Sequence, residues 1–265
     1  LIVGVTGTKG KTTITNLLNH CFSTVDPGSE AICTLGILRG GKRITKKLTR
    51  GTVERFYSSS AETKCAELTS FMLHHQSSPE DFFIDAAILT GIERGEHSDI
   101  HLRFKDYVEA KKKIFGMRKP KAEAIVCYDD DYFTELTDAV DDLVTYGFNH
   151  GSDYQITLDE QTADYSQISI SDGKKSVKIR SRLLGRHNHL NVAACWVTLR
   201  NTDIDIVSSI ESFKGVPGRF ERFIVNKGQQ KKIVIIDYAH TTRSHRRAAA
   251  LEAAAHRRTH TQAPP

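Results

Sequence analysis

Apolar and polar residues change their spacing several times along this chain, and each change marks an element. Residues 1–5 are an apolar, β-branched run that breaks into glycines, and residues 11–22 then carry Ile14, Leu17, Leu18 and Phe22 on one helical face. Strand, glycine loop and helix follow one another. A second strand is expected at residues 30–35, and residues 82–89 give the apolar run that a strand buried on both faces requires. Shorter runs at 124–127 and 144–146 repeat the pattern, with helices between them at 104–115 and 132–140. This alternation predicts an α/β fold around a mostly parallel, doubly wound sheet.

From 154 to 180 the pattern turns to short alternating strands with a turn at Ser171-Asp172-Gly173, which reads as a small antiparallel patch on the main sheet. A helix is expected at 190–199. Gly215-Val216-Pro217-Gly218 reads as a hinge, after which 232–236 opens a fresh strand ending in Asp237-Tyr238-Ala239-His240. That strand would begin another α/β unit, Rossmann-like and truncated. Residues 248–265 are low in complexity and resemble vector-derived sequence.

Composition narrows the classes. The five cysteines among 265 residues (Cys21, Cys33, Cys65, Cys127, Cys195) are scattered and never form a C-x-x-C pair. That argues for a reducing compartment and against a zinc site, with all of them read as buried or neutral thiols. No apolar run approaches the roughly 18 residues of a membrane span, and the apolar start lacks the basic flank of a signal peptide. A cytoplasmic protein with no membrane partner is expected. The net charge of +5 is modest, and no basic face interleaved with aromatics suggests nucleic acid. The basic cluster at 42–47 reads as solvated surface.

The chemistry starts at Gly7-Thr8-Lys9-Gly10-Lys11-Thr12. A loop that follows a buried strand and opens a helix gathers backbone N–H groups and the positive helix end around an anion. Lys11 would reach the terminal phosphates of ATP, and the Thr12 hydroxyl would ligate Mg²⁺. The full G-x-x-x-x-G-K-[ST] spacing is not met, because Val5 stands where the first glycine would be.

The shortened form Thr6-Gly7-Thr8-Lys9-Gly10-Lys11-Thr12-Thr13 resembles that of the Mur ligase family, ATP-dependent amide-forming enzymes of peptidoglycan assembly and their relatives. Further stretches resemble the family in the same order. Glu67-Leu68-Thr69-Ser70 is similar to its Glu-x-Ser-Ser segment, Thr90-Gly91-Ile92 to Thr-Asn-Ile/Leu, and Glu96-His97-Ser98-Asp99-Ile100-His101 to Asp-His-x-Asp-x-His. Tyr107 with Ala110-Lys111 resembles the Tyr-x-x-Ala-Lys helix. Gly185-Arg186-His187-Asn188-His189-Leu190-Asn191, Gly215-Val216-Pro217-Gly218-Arg219-Phe220-Glu221-Arg222 and Asp237-Tyr238-Ala239-His240-Thr241 complete the series, the last two most like the branch that adds the third residue of the stem peptide. Gly91 departs from the usual asparagine, one extra residue lies between Ile92 and His97, and Cys127 replaces an asparagine.

The resemblance implies transfer of the ATP γ-phosphate to a carboxylate, then attack by an amine. It implies ATP and two Mg²⁺ ions as cofactors, with metal held by Thr12, Glu67, His97 and Lys111, the last as a carbamylated lysine. Lys11, Lys111 and His97 would be catalytic. Gly7, Thr8, Lys9, Gly10, Lys11, Thr12, Thr13, Asn188, Asn191, Arg219 and Asp237 would bind ATP, the two asparagines at adenine. Thr49 and Arg50 would touch the acceptor, a UDP-muramyl-peptide-like substrate that receives an amino acid. By residue type alone, Glu67 reads as a surface charge, His97 as a loop histidine, Lys111 as a helix-surface lysine and Asn188 as a helix cap.

On this resemblance, residues 1–218 are the central ATP-binding domain and 219–247 the start of a truncated C-terminal domain, so the chain is expected to be a fragment acting as a monomer. Two alternatives stay open: a ligase working on another carboxylate acceptor, as in polyglutamate or cyanophycin-like synthesis, and a nucleotide-binding module without chemistry.

Overall fold

The computed structural model describes residues 1–74, 82–94, 103–227 and 230–237. Its centre is the expected parallel sheet. β1 (Ile2–Thr6) pairs in parallel with β5 (Lys64–Glu67) on one side and with β6 (Ile84–Leu89) on the other. β7 (Arg118–Cys127) and β8 (Leu143–Gly147) extend the parallel run beyond β6, and β2 (Glu30–Cys33) extends it beyond β5. Val3, Val5, Ala86 and Ile88 share one buried cluster, while Ala87 and Leu89 enter clusters on the opposite face, as a sheet covered on both sides demands.

Antiparallel strands finish both edges. The one expected at 154–180 consists of β9 (Tyr154–Gln161), β10 (Ser166–Ser171) and β11 (Ser176–Ser181). The other comprises β3 (Gly36–Arg39) and β4 (Lys42–Thr45), folded back on β2. The strand expected at 30–35 therefore stops at Cys33 and turns. The basic cluster is solvent-exposed, as expected, yet part of it is an edge strand, where cations discourage further pairing. The resulting sheet has eleven strands in the order β11-β10-β9-β8-β7-β6-β1-β5-β2-β3-β4.

α1 (Lys11–Ser23) lies against β2 and β5 because Ile14, Leu17, Leu18, Cys21 and Phe22, spaced on a helical stripe, are wholly buried. α6 (Arg186–Leu199) packs beside it through Val192, Cys195 and Leu199 and starts earlier than the 190–199 pattern suggested. On the opposite face, α4 (Phe104–Lys112) ends before residue 115 and continues as a 3-10 turn, Lys113–Met117. α5 is only Phe133–Thr137.

The sequence pattern gave no sign of α2 (Arg50–Ser58), the short α3 (Ser70–His74), α7 (Ile206–Ser212) or β5. β5 hides because both its ends are charged. Lys64 is nevertheless buried, its Nζ donating to the carbonyls of Phe56 and Tyr57 at 3.3 Å and of Ser59, so that it closes the C-terminus of α2.

Residues 232–236, the strand expected to begin another α/β unit, lie in β13 (Gln230–Ile236), which pairs antiparallel with β12 (Glu221–Lys227) as a two-stranded sheet; the rest of that expected unit lies outside the described residues. All five cysteines are free and buried. Among the described residues no helix is long and apolar enough to cross a membrane.

Candidate active site

The C-terminal ends of β1, β5, β6 and β7 adjoin along one edge of the sheet, where open α/β folds receive ligands. β1 runs out into the phosphate loop. Gly10, at φ +87°, is the residue before α1, and a Cβ there would collide with Asn191 Oδ1 on α6. Glycine thus serves both the left-handed turn and the approach of α6. The first helical bond, Ile14 N–H to the Gly10 carbonyl at 2.9 Å, leaves the first turn of α1 directed at the loop, where its dipole favours an anion. Lys11 Nζ bends back over the loop to the Gly7 and Thr8 carbonyls, each at 3.0 Å.

Thr8 ties the loop to its neighbours. Its N–H donates to the Gly91 carbonyl at 2.8 Å, and its hydroxyl accepts the Glu93 N–H at 2.9 Å and shares a 2.8 Å hydrogen bond with the Tyr107 hydroxyl. Lys9 pairs with Glu93 at 2.7 Å. The turn at 90–93 is therefore fastened along the loop.

Lys111 lies one helical turn beyond Tyr107 on the same face of α4. It is 1 % exposed, and its Nζ contacts Thr6 Oγ1 at 3.2 Å and the Gly7 carbonyl at 3.0 Å. The surface reading of this lysine is thus corrected: α4 turns it inward beneath the loop. Burial pushes its ammonium pKa well down, the nearby Lys11 pushes it further, and Glu67 opposes them.

Glu67 is likewise no surface charge. At 5 % exposure it accepts the Thr12 hydroxyl at 3.0 Å, the Thr34 N–H at 2.9 Å and the Thr34 hydroxyl at 2.9 Å. Thr34 had no functional place in the sequence reading, which put it inside the strand expected at 30–35; β2 ends at Cys33 and leaves it free to turn onto Glu67. Arg219 Nη2 reaches Thr12 Oγ1 at 3.4 Å. Thr13 is buried in the first turn of α1.

Other expected residues stand differently. Asn188 and Asn191 adjoin each other: the Asn191 amide donates to Asn188 Oδ1 at 3.0 Å, and Asn188 donates to the Leu184 carbonyl at 2.9 Å. Asn188 is not a helix cap, because α6 begins two residues earlier after Gly185. Thr49 caps α2 in a reciprocal pair with Thr52, and Arg50 is exposed and paired with Glu54 at 2.8 Å. Asp237 accepts the Phe220 N–H at 3.0 Å, at the base of the β12–β13 hairpin. His97, with the rest of 96–101, lies outside the described residues.

These contacts gather the Lys11 and Arg219 cations and the Lys111 amine around the Thr12–Glu67 pair, a basin whose two cations suit a polyphosphate. The Thr12 hydroxyl and Glu67 carboxylate are hard oxygen donors of the kind Mg²⁺ selects. Lys111, as an ammonium, would repel such an ion. Among the described residues no group of three or more His, Cys, Asp or Glu side chains forms a metal cluster.

Comparison with known proteins gives a consistent picture. The family described as the Mur ligase middle domain matches residues 5–199. A UDP-N-acetylmuramoyl-L-alanyl-D-glutamate--2,6-diaminopimelate ligase of Bacillus velezensis is 29 % identical over 260 residues, covering 91 % of this chain and 51 % of that protein. The same-named ligase of Syntrophomonas wolfei is 31 % identical over 255 residues, with the same coverage. A solved structure of a ligase of that name superposes with a TM-score of 0.73 at 23 % identity, over 92 % of this chain and 51 % of the other, a likeness of fold. The chain spans about half the length of the curated relatives it matches.

Proposed function

The chain belongs to the Mur ligase middle-domain family, and from that premise we propose that it is the ATP-handling part of an ATP-dependent ligase that joins an amino acid to a UDP-muramyl-peptide carboxylate. The observation that carries the reading is the buried Lys111 amine, held against the Gly7 carbonyl and within the field of Lys11 and Glu67.

The chemical problem is charge, since a carboxylate must approach a triphosphate. Lys11, Arg219 and the first turn of α1 supply positive potential where the phosphates would lie, and the acceptor carboxylate attacks the γ-phosphorus to give an acyl phosphate and ADP. The amine of the incoming amino acid then displaces phosphate and loses a proton. Gly7, Thr8, Lys9, Gly10, Thr12 and Thr13 line the phosphates in this reading, Asn188 and Asn191 meet adenine, and Asp237 meets the ribose. Thr49 and Arg50 serve the acceptor.

Mg²⁺, when bound, neutralises phosphate charge; Thr12 and Glu67, with His97, are the residues that would hold it. A second ion requires Lys111 to change sign. Because its pKa is lowered, a larger share of Lys111 is neutral amine, which can attack CO₂; a C–N bond forms, a proton leaves, and a carbamate anion results. We extend the reading to a cytoplasmic monomer divided at Gly218 into the 1–218 unit and the start of a second.

The test is to supply the full-length protein with ATP, Mg²⁺, a UDP-muramyl dipeptide and a panel of amino acids. ADP and phosphate released in equal amounts, only when acceptor and amino acid are both present, is the expected result. Release that ignores the acceptor would sink the ligase reading.

A further inference from the structure

Gly91 breaks the family pattern, and its surroundings show what takes the space. It follows β6 with φ at +118°, and a Cβ there would collide with Asp130 Oδ2. Asp130, in the loop after β7, accepts the Ile92 N–H on Oδ2 at 2.9 Å and the Tyr132 N–H on Oδ1 at 3.0 Å. Its carbonyl accepts the Phe133 N–H at 3.1 Å, so the residue is anchored to the start of α5. It is a fixed peg reaching across to the end of β6.

What it holds matters for the loop. The residues flanking Ile92 both bond Thr8: Gly91 through its carbonyl at 2.8 Å and Glu93 through its N–H at 2.9 Å. Fixing Ile92 N–H therefore fixes two neighbours that bond Thr8, in the middle of the phosphate loop. Keeping a carboxylate here is costly. Burial, with Asp131 and Glu93 nearby, raises the Asp130 pKa to about 6, and the backbone N–H groups of Tyr132 and Ile92 offset part of that cost.

We propose that Asp130 is a positioning residue for the phosphate loop, acting through the 90–93 turn, and that Gly91 is what admits it. The glycine leaves the room that the Asp130 carboxylate occupies, and the turn is braced from the loop after the neighbouring strand β7. The inference rests on the nucleotide reading above.

The test uses the full-length protein and two ligands, Mg·ADP and adenosine, the second read by competition. Asp130→Ala should weaken Mg·ADP about tenfold and leave adenosine within about twofold, because only the phosphate end loses its support. Asp130→Asn keeps the size but has one acceptor oxygen for the two backbone N–H donors, so it should weaken Mg·ADP a few-fold, less than alanine does, and leave adenosine unchanged. It also serves if the alanine variant does not fold. Gly91→Ala should weaken Mg·ADP in the same selective way, with a smaller added effect in the Asp130→Ala background, since the collision is then relieved.

Equal losses for both ligands, or no loss with either Asp130 variant, overturn the proposal while leaving the nucleotide site in place. A wild-type protein that binds no Mg·ADP overturns the nucleotide reading and this inference with it.

Discussion

The Thr12 hydroxyl donates to Glu67 Oε2 across 3.0 Å, joining the first turn of α1 to the end of β5. One strand end and one helix start thereby present a hydroxyl and a carboxylate together, with Thr34 holding the carboxylate from the far side. Glu67→Gln keeps the shape and one acceptor oxygen but removes the charge. The Mg²⁺ concentration needed for half-maximal ADP binding should rise about tenfold, while binding of metal-free ADP should hold or improve because a nearby anion is gone. A calorimetric Mg²⁺ titration reads this, and an unchanged Mg²⁺ requirement counts against the assignment.

Tyr107→Phe isolates the bond between α4 and the phosphate loop. The ring stays buried and the 2.8 Å hydrogen bond to Thr8 is lost. Thr8 Oγ1 still receives the Glu93 N–H, so no polar atom is stranded. The expected loss is about 1 kcal/mol of stability by denaturant unfolding, with a few-fold weaker ADP affinity. A loss several times larger would mean that the hydroxyl does more than tie the loop.

Much of this was legible in the sequence where a residue's chemistry agreed with its periodicity. The stripe Ile14, Leu17, Leu18 and Phe22 announced α1, and the strand before Gly7 announced the loop. Legibility failed where polar residues are buried by partners outside their own element. Lys64 reads as surface until the carbonyls of Phe56, Tyr57 and Ser59 are seen to converge on it. Lys111 stands among further lysines in a run whose spacing cannot say which of them turns inward. The β3–β4 hairpin was hidden for the opposite reason, because an edge strand such as β4 needs no apolar alternation. Thr34 and Asp130 escaped notice because their roles depend on neighbours far along the chain.

Lys64→Met tests the C-terminal closure of α2. Methionine fills similar space and donates nothing, removing the Nζ donor from all three carbonyls, of which that of Phe56 keeps the Ser59 N–H at 3.4 Å. A loss of about 2 kcal/mol is expected, with faster amide exchange concentrated in α2. Exchange that accelerates evenly across the chain would contradict a local role.

The pH dependence of stability has a defined sign. His189 is buried, and its Nε2 lies 3.0 Å from Ser166 Oγ, whose own hydroxyl donates to the Leu183 carbonyl; Nε2 is therefore the donor. Nδ1 has no hydrogen-bond partner among the described residues. Burial, helped by His187 and Arg186, pushes the pKa from 6.5 down to about 4. The unfolded chain thus takes up the proton first, so this stabilisation is whole above pH 6.5 and fades as pH falls to 4, by about 3 kcal/mol at most. Asp130, with its pKa raised to about 6, acts in the opposite sense and favours the folded state as pH falls below 6. Thermal midpoints from pH 7.5 to 4.5 should fall less steeply in His189→Leu and more steeply in Asp130→Asn. Parallel profiles for wild type and His189→Leu would contradict the buried neutral imidazole.

In the proposed ligase reading Lys111, a buried amine held against Thr6 and Gly7, serves a metal as a carbamate. The most direct measurement is acceptor-dependent ADP release by full-length Lys111→Ala, with and without a short carboxylic acid such as acetate. Turnover should fall at least about a hundredfold and recover in part when the acid supplies the missing carboxylate. Undiminished turnover, or a loss that no carboxylic acid repairs, contradicts the account.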